Sequence, residues 1–229
     1  MSPQRLFLED YSTSNLARLE LTNLPFAKLY VACLAIVSAV GYPNFLEWSE
    51  DRKVRKASEQ IASMITNINT QLQRGNFQYV QFQIIPAGTS STIIKTKGIY
   101  QDTYSAKMNS GGITCSKDNN YWDETVQEIV IDTPAHVDKQ GSVCFSKDGT
   151  KFLQTGSLEN QYKFFVVGEE VKDYALVCSK SNAKKLGGKC DVKKLGKNPG
   201  LEKPAYLVLW SRFGTVTKYK LGKNDWTIR

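Results

Sequence analysis

Four cysteines carry the most specific chemistry in this 229-residue chain. Cys115, Cys144, Cys178 and Cys190 are even in number and lie outside the apolar N-terminal run, which suits two disulfides and an oxidising compartment. Four thiolates could instead hold zinc, but such sites draw ligands from closely spaced pairs, and no Cys-x-x-Cys occurs. Disulfides without a metal are therefore expected. Cys178 and Cys190 close a short lysine- and glycine-rich loop, so they are paired here, leaving Cys115 for Cys144; spacing alone permits three pairings. Cys33, inside the apolar run, is expected to be a small buried hydrophobe.

Charge is the second chemical signal. Against 30 Lys/Arg stand 22 Asp/Glu, a net charge of +8. From Cys178 onward thirteen basic residues oppose only Asp191, Glu202 and Asp225, so that segment carries +10 and the first 177 residues −2. Such asymmetry suits a polyanionic partner: nucleic acid, anionic lipid or an acidic protein. The competing interpretation is a solvated lysine-rich loop.

Enzyme chemistry finds little support. The single histidine, His136, sits near Pro134 in an expected surface loop, and no nucleophile-elbow, phosphate-loop or zinc-protease motif occurs. Asp123 with Glu124, and Glu169 with Glu170, are adjacent acids that would point to opposite faces of a strand. They suit loop charges better than a catalytic pair. No catalytic residue, cofactor or metal ligand is expected.

The elements that would position these groups follow from periodicity. Leu29–Tyr42 is a continuous apolar run, and with Leu24–Ala27, interrupted only by Lys28, it reaches 19 residues. That is about the minimum length for a membrane span. A cleaved secretory signal is the alternative, but Tyr42-Pro43-Asn44-Phe45 is bulky where cleavage needs small residues. Beyond Pro43, Val54, Ala57, Ile61, Met64, Ile65, Ile68 and Leu72 recur at steps of three and four, the stripe of an amphipathic helix. Asn23 could cap the whole helix, Pro25 suits its first turn, Pro43 would kink it, and Gly75 marks its end.

After Gly75 the period falls towards two. Strands are expected over Phe77–Ile84 (with one slip, a bulge), Thr92–Tyr100, Val126–Ile131, Ser142–Phe145, Lys151–Gln154, Tyr162–Val167, Tyr174–Cys178, Ala205–Trp210 and Thr215–Leu221. Asp148-Gly149 and, more weakly, Phe213-Gly214 signal hairpins. The expected fold class is α+β: a long N-terminal helix, half membrane-spanning and half amphipathic, packed on an all-β, sandwich-like head. The expected segments are a leader or cytoplasmic stretch at 1–21, the helix at 22–75 crossing the membrane over about 24–42, and the head at 76–229.

This order of parts resembles type IV pilins and the pseudopilins of type II secretion. Val143-Cys-Phe-Ser-Lys-Asp-Gly-Thr150 looks like the phenylalanine–x–x–aspartate–glycine hairpin of the GspH/FimT minor pseudopilins, and Leu207–Val216 like their late strand with its glycine turn. The resemblance implies a pilin-like subunit that polymerises by burying apolar half-helices, here through Leu29, Val31, Leu34, Ile36, Val37, Val40 and Pro43. Its partners would be other pilin or pseudopilin subunits and the bacterial inner membrane, with the head periplasmic or on an extracellular filament. The chain departs from the family at the peptidase glycine, where it has Leu21, and at the assembly glutamate, where it has Phe26.

The resemblance also implies DNA uptake through a basic C-terminal region. Lys184, Lys185, Lys189, Lys193, Lys194, Lys197, Arg212, Lys218 and Lys220 are the candidate contacts, with Tyr219 and Trp226 able to stack on exposed bases. Irregularly spaced lysines touch phosphates and carry no base code, so contact would be sequence-independent. The alternative to a filament role is an uncleaved, single-pass, membrane-anchored envelope binding protein.

Overall fold

The structure, a computed structural model, describes residues 25–87, 91–110, 112–116, 122–132, 134–150, 152–158, 164–166, 169–171, 173–195, 204–222 and 226–228. The expected leader at 1–21, the Asn23 cap and Lys197 lie outside them.

Helix α1 runs Pro25–Gln73, opening on a proline whose missing N–H costs nothing in a first turn. The chain forms two compact units, Met1–Leu46 and Glu47–Arg229, and α1 contributes to each. In the second unit Val54, Ala57, Ile61, Met64, Ile65, Ile68 and Leu72 are all buried, so the three- and four-residue spacing is one core-facing stripe.

Strands β1 (Tyr79–Ala87), β2 (Ser91–Ile99), β3 (Glu124–Asp132), β5 (Gly141–Ser146) and β6 (Leu153–Gln154) form an antiparallel sheet ordered β3-β2-β1-β5-β6. A second antiparallel sheet, ordered β12-β11-β10-β9-β4, is built from β4 (Ala135–Val137), β9 (Tyr174–Ser179), β10 (Ala205–Trp210), β11 (Val216–Leu221) and β12 (Trp226–Ile228). A separate ribbon pairs β7 (Phe164–Val166) with β8 (Glu169–Val171). The front faces of both large sheets meet the α1 stripe in one apolar core that includes Phe82, Phe145, Val177 and Val208.

Each sheet also has a covered back face. Behind the first, Tyr79, Ile99 and Cys144 pack with Cys115, Tyr104, Ile113 and Trp122. Behind the second, Tyr174, Leu176, Leu207, Tyr219, Leu221 and Trp226 pack with Ala183, Cys190 and Leu195. Period-two reading assigns one wet face to an antiparallel strand, but β1 and β9 are buried on both. This explains the apparent slip in β1: its ladder to β2 is continuous from Tyr79 to Ala87, and Gln81 and Gln83 are simply buried. The register irregularity falls instead at Thr96/Lys97, between β2 and β3.

The expected fold class fails in two respects. First, no helix among the described residues is long and apolar enough to cross a membrane. The uninterrupted apolar run, Leu29–Tyr42, is 14 residues and is bounded by Lys28, whereas a span needs about 20. The single-pass inner-membrane anchor over 24–42 is set aside with it. Second, the head is not all-β, since it holds α2 (Gln101–Asn109), α3 (Lys180–Lys185) and α4 (Val192–Leu195). These helices bury too few side chains to write a 3.6-residue period: α2 has no buried residue and α3 only Asn182 and Ala183.

Candidate interaction surface

Both disulfides do the same mechanical job. Cys115–Cys144 (Cα–Cα 5.8 Å) and Cys178–Cys190 (Cα–Cα 6.5 Å) each join a covering segment to the back of a sheet, since Cys144 lies in β5 and Cys178 in β9. Local capping completes each cover. Asp123 accepts from the Tyr100 amide at 2.8 Å and the Thr103 hydroxyl at 3.0 Å, holding the start of α2. Ser179 Oγ accepts from the Asn182 amide at 3.1 Å to start α3, and Asp191 Oδ1 from the Lys194 amide at 3.2 Å to start α4. Asp123 therefore ties down the N-terminal end of a helix.

The second cover carries the basic cluster. Lys184 and Lys185 occupy the last turn of α3, where the helix dipole favours cations, and both are exposed, as are Lys189 and Lys194. The Lys193 side chain lies outside the described residues, with Lys197. The remaining candidates sit elsewhere. On β11, Tyr219 and Leu221 point to the back face, whereas Val216 packs with the front core, so Lys218 and Lys220 share the front. Lys220 Nζ lies 3.5 Å from Asp51 Oδ2 of α1 and 5.7 Å from the Tyr206 ring centre, and the Tyr206 hydroxyl donates to Asp51 Oδ1 at 3.1 Å. Lys220 is thus tied into the contact between helix and sheet. Arg212, in the β10–β11 turn, stacks over Phe213 at 5.0 Å.

Two expectations change here. Tyr219 and Trp226 are 3% and 6% exposed and belong to the back core, so neither can stack on a base. His136 lies in β4, not in a loop, and burial, helped by Lys180, lowers its pKa.

Sequence reasoning missed Asp138, which follows β4. It lines a cleft of about 240 Å³ with His136, Lys139 and Lys189. Burial pushes its carboxyl up to about 6, although Lys139, Lys189 and the Cys190 amide pull the other way. Nothing in a single Asp between two strands signals this. Among the described residues no group of His, Cys, Asp and Glu could hold a metal ion.

The apolar front of α1 forms the other candidate surface. Val31, Leu34 and Ile36 are 61%, 49% and 64% exposed, and Tyr30 beside them 67%. Cys33 is exposed and unpaired, contrary to its expected burial. Leu29, Val37, Val40 and Pro43 are helical in backbone, and their side chains lie outside the described residues.

No protein-family model, curated protein or solved structure matches the chain. The functional reading rests on these surfaces.

Proposed function

We propose that the chain is a non-enzymatic, pilin-like filament subunit of the minor-pseudopilin type, which associates with other subunits through the apolar front of α1. The observation that carries this reading is the run of exposed apolar side chains at Tyr30, Val31, Leu34 and Ile36. Contiguous apolar surface of this kind is costly in water and marks a site of association. The resemblance of the helix and the two glycine turns to pilin-like subunits supports the same role, and the two disulfides fit an oxidising compartment.

The test is the oligomeric state of the full chain. Sedimentation should report concentration-dependent assembly that Leu34→Glu and Ile36→Glu abolish, and mild oxidation should cross-link copies through Cys33. A monomer at high concentration, with Cys33 failing to cross-link, would remove the proposal.

A second reading concerns the basic cover. Lys184, Lys185, Lys189 and Lys194 are exposed on a segment that the Cys178–Cys190 bond holds to β9, which favours contact with a polyanion such as DNA. The full chain should retard duplex DNA at low salt and release it near physiological salt, and changing these four lysines to glutamine should abolish retardation. Salt-insensitive binding, or none, would dismiss the reading.

A further inference from the structure

Strand β4 divides its side chains between the two sides of the second sheet. Ala135 and Val137 enter the front core, whereas His136 stands opposite Cys178, a back-face residue. Asp138 follows on the same side as His136 and meets the cover there, where the Cys190 amide donates to its carboxyl. Both side chains line a cleft of about 240 Å³, to which Ser91 and Thr92 of β2 and Gly188 and Lys189 of the cover also contribute.

Two cations converge on this cleft, Lys139 from the chain after β4 and Lys189 from the cover. Both pull on the Asp138 carboxyl, so they lie within electrostatic range of it. Among the described residues, however, neither lysine forms an ion pair, with Asp138 or with any other carboxylate. Lys139 Nζ lies instead 5.7 Å from the Tyr174 ring centre. A single surface lysine needs no partner. Two that meet in one concave site from separate segments focus positive potential within it. The volume falls below the range of drug-sized sites, about 300–1,000 Å³, and suits a guest of few atoms.

We propose that this cleft binds a small oxyanion, a free phosphate, sulfate or short carboxylate, held between Lys139 and Lys189. The site is independent of assembly through α1 and of DNA contact by the outer lysines. Asp138 governs entry, because its carboxylate repels an oxyanion and its neutral form does not. Burial keeps that carboxyl protonated up to about 6, so binding strengthens as pH falls through this value. Asp191 of the cover also bears on Asp138, and Lys180 on His136. His136 is held below its ordinary value, so it gains charge only further into the acid range.

The experiment titrates sodium sulfate, whose charge is constant over the range used, into the isotope-labelled full chain at fixed ionic strength. Amide resonances, followed by NMR, should shift saturably at Lys139, Gly188 and Lys189. Binding should be about tenfold tighter at about pH 5 than at about pH 8, the effect of one carboxylate a few ångströms from a doubly charged ion. Lys139→Gln and Lys189→Gln should each weaken it about tenfold. Lys139→Gln should leave the retardation of duplex DNA unchanged. Asp138→Asn should bind at about pH 8 as the native chain does at about pH 5. Should that variant fail to fold, the lysine variants still decide. The proposal is overturned by an absence of saturable shifts, by native affinity in Lys139→Gln, or by loss of DNA retardation together with sulfate, which would make the cleft part of a nucleic-acid surface. A pH dependence that survives in Asp138→Asn belongs to His136 and overturns the role given to Asp138.

Discussion

The ring of Phe213 lies directly on Gly149: a Cβ placed on Gly149 would sit 2.5 Å from Phe213 Cε1. The two residues belong to two turns far apart in the chain, and the fold packs one turn on the other. Gly214 extends the contact to α1, where a Cβ would approach that of Asn69 to 3.2 Å. Both glycines have positive φ, 68° and 75°, so each turn needs glycine for its backbone as well as for its neighbour. Gly149→Ala should cost about 1–3 kcal/mol from left-handed strain and displacement of the ring. Combined with Phe213→Ala, part of that cost should return, and urea unfolding of the four-member cycle measures how much.

Cutting the chain before residue 76 should abolish folding. The seven stripe residues of α1, Val54 to Leu72, belong to the same core as both sheets, and none is more than 3% exposed. Removing one side chain already costs about 2–5 kcal/mol, as expected for Ile61→Ala, against a typical total stability of about 5–15 kcal/mol. A fragment starting at Glu47 should give a cooperative thermal transition, and one starting at Asn76 none.

Two carboxyls should shape the pH dependence in opposite directions. Hydrogen bonds from the Thr150 amide, the Ser146 hydroxyl and the Thr150 hydroxyl pull Asp148 from 3.8 down to about 2. Its contribution is present above the ordinary value and is lost as pH falls towards about 2. Asp148→Asn should remove that acid-side loss. Asp138 is raised from 3.8 to about 6 by burial, so the folded state holds its proton longer than the unfolded one. Its contribution is present below the ordinary value and is lost as pH rises through about 6. His136, held below its ordinary value by burial, works in the opposite direction, so the readout is the difference: between about pH 4 and pH 7 the melting temperature of the native chain should fall relative to that of Asp138→Asn.

Each disulfide should be separable from the fold it staples. Cys178 and Cys190 are 12 residues apart, so replacing both by serine should cost about 3 kcal/mol in unfolded-state entropy. Because their bond holds α3 and α4 over Leu176 and Leu207, the double variant should also bind more of a hydrophobic dye below its melting point. An unchanged melting temperature would show that packing alone retains the cover.

Local physics made much of the second unit legible. The three- and four-residue recurrence from Val54 to Leu72 needs only helix geometry, and it lies on the buried face. Asp148-Gly149 announced its turn because few residues adopt positive φ. Helices α2 to α4 stayed silent, for a helix that buries almost nothing leaves no periodic trace. The burial of Gln81 and Gln83 was also hidden, because polarity in alternate positions normally marks a wet face.

What chain order could decide was the stripe, the turns and the concentration of charge near the C-terminus. Tertiary structure alone decided which charges remain outside and which groups meet. Lys220 joins Asp51 of α1, Tyr219 and Trp226 sink behind the second sheet, and Gln83 is buried opposite Ser142. The physical reason is distance along the chain. Helix period and turn conformation are set within a few residues, whereas burial of a strand's second face depends on a cover supplied from elsewhere in the chain.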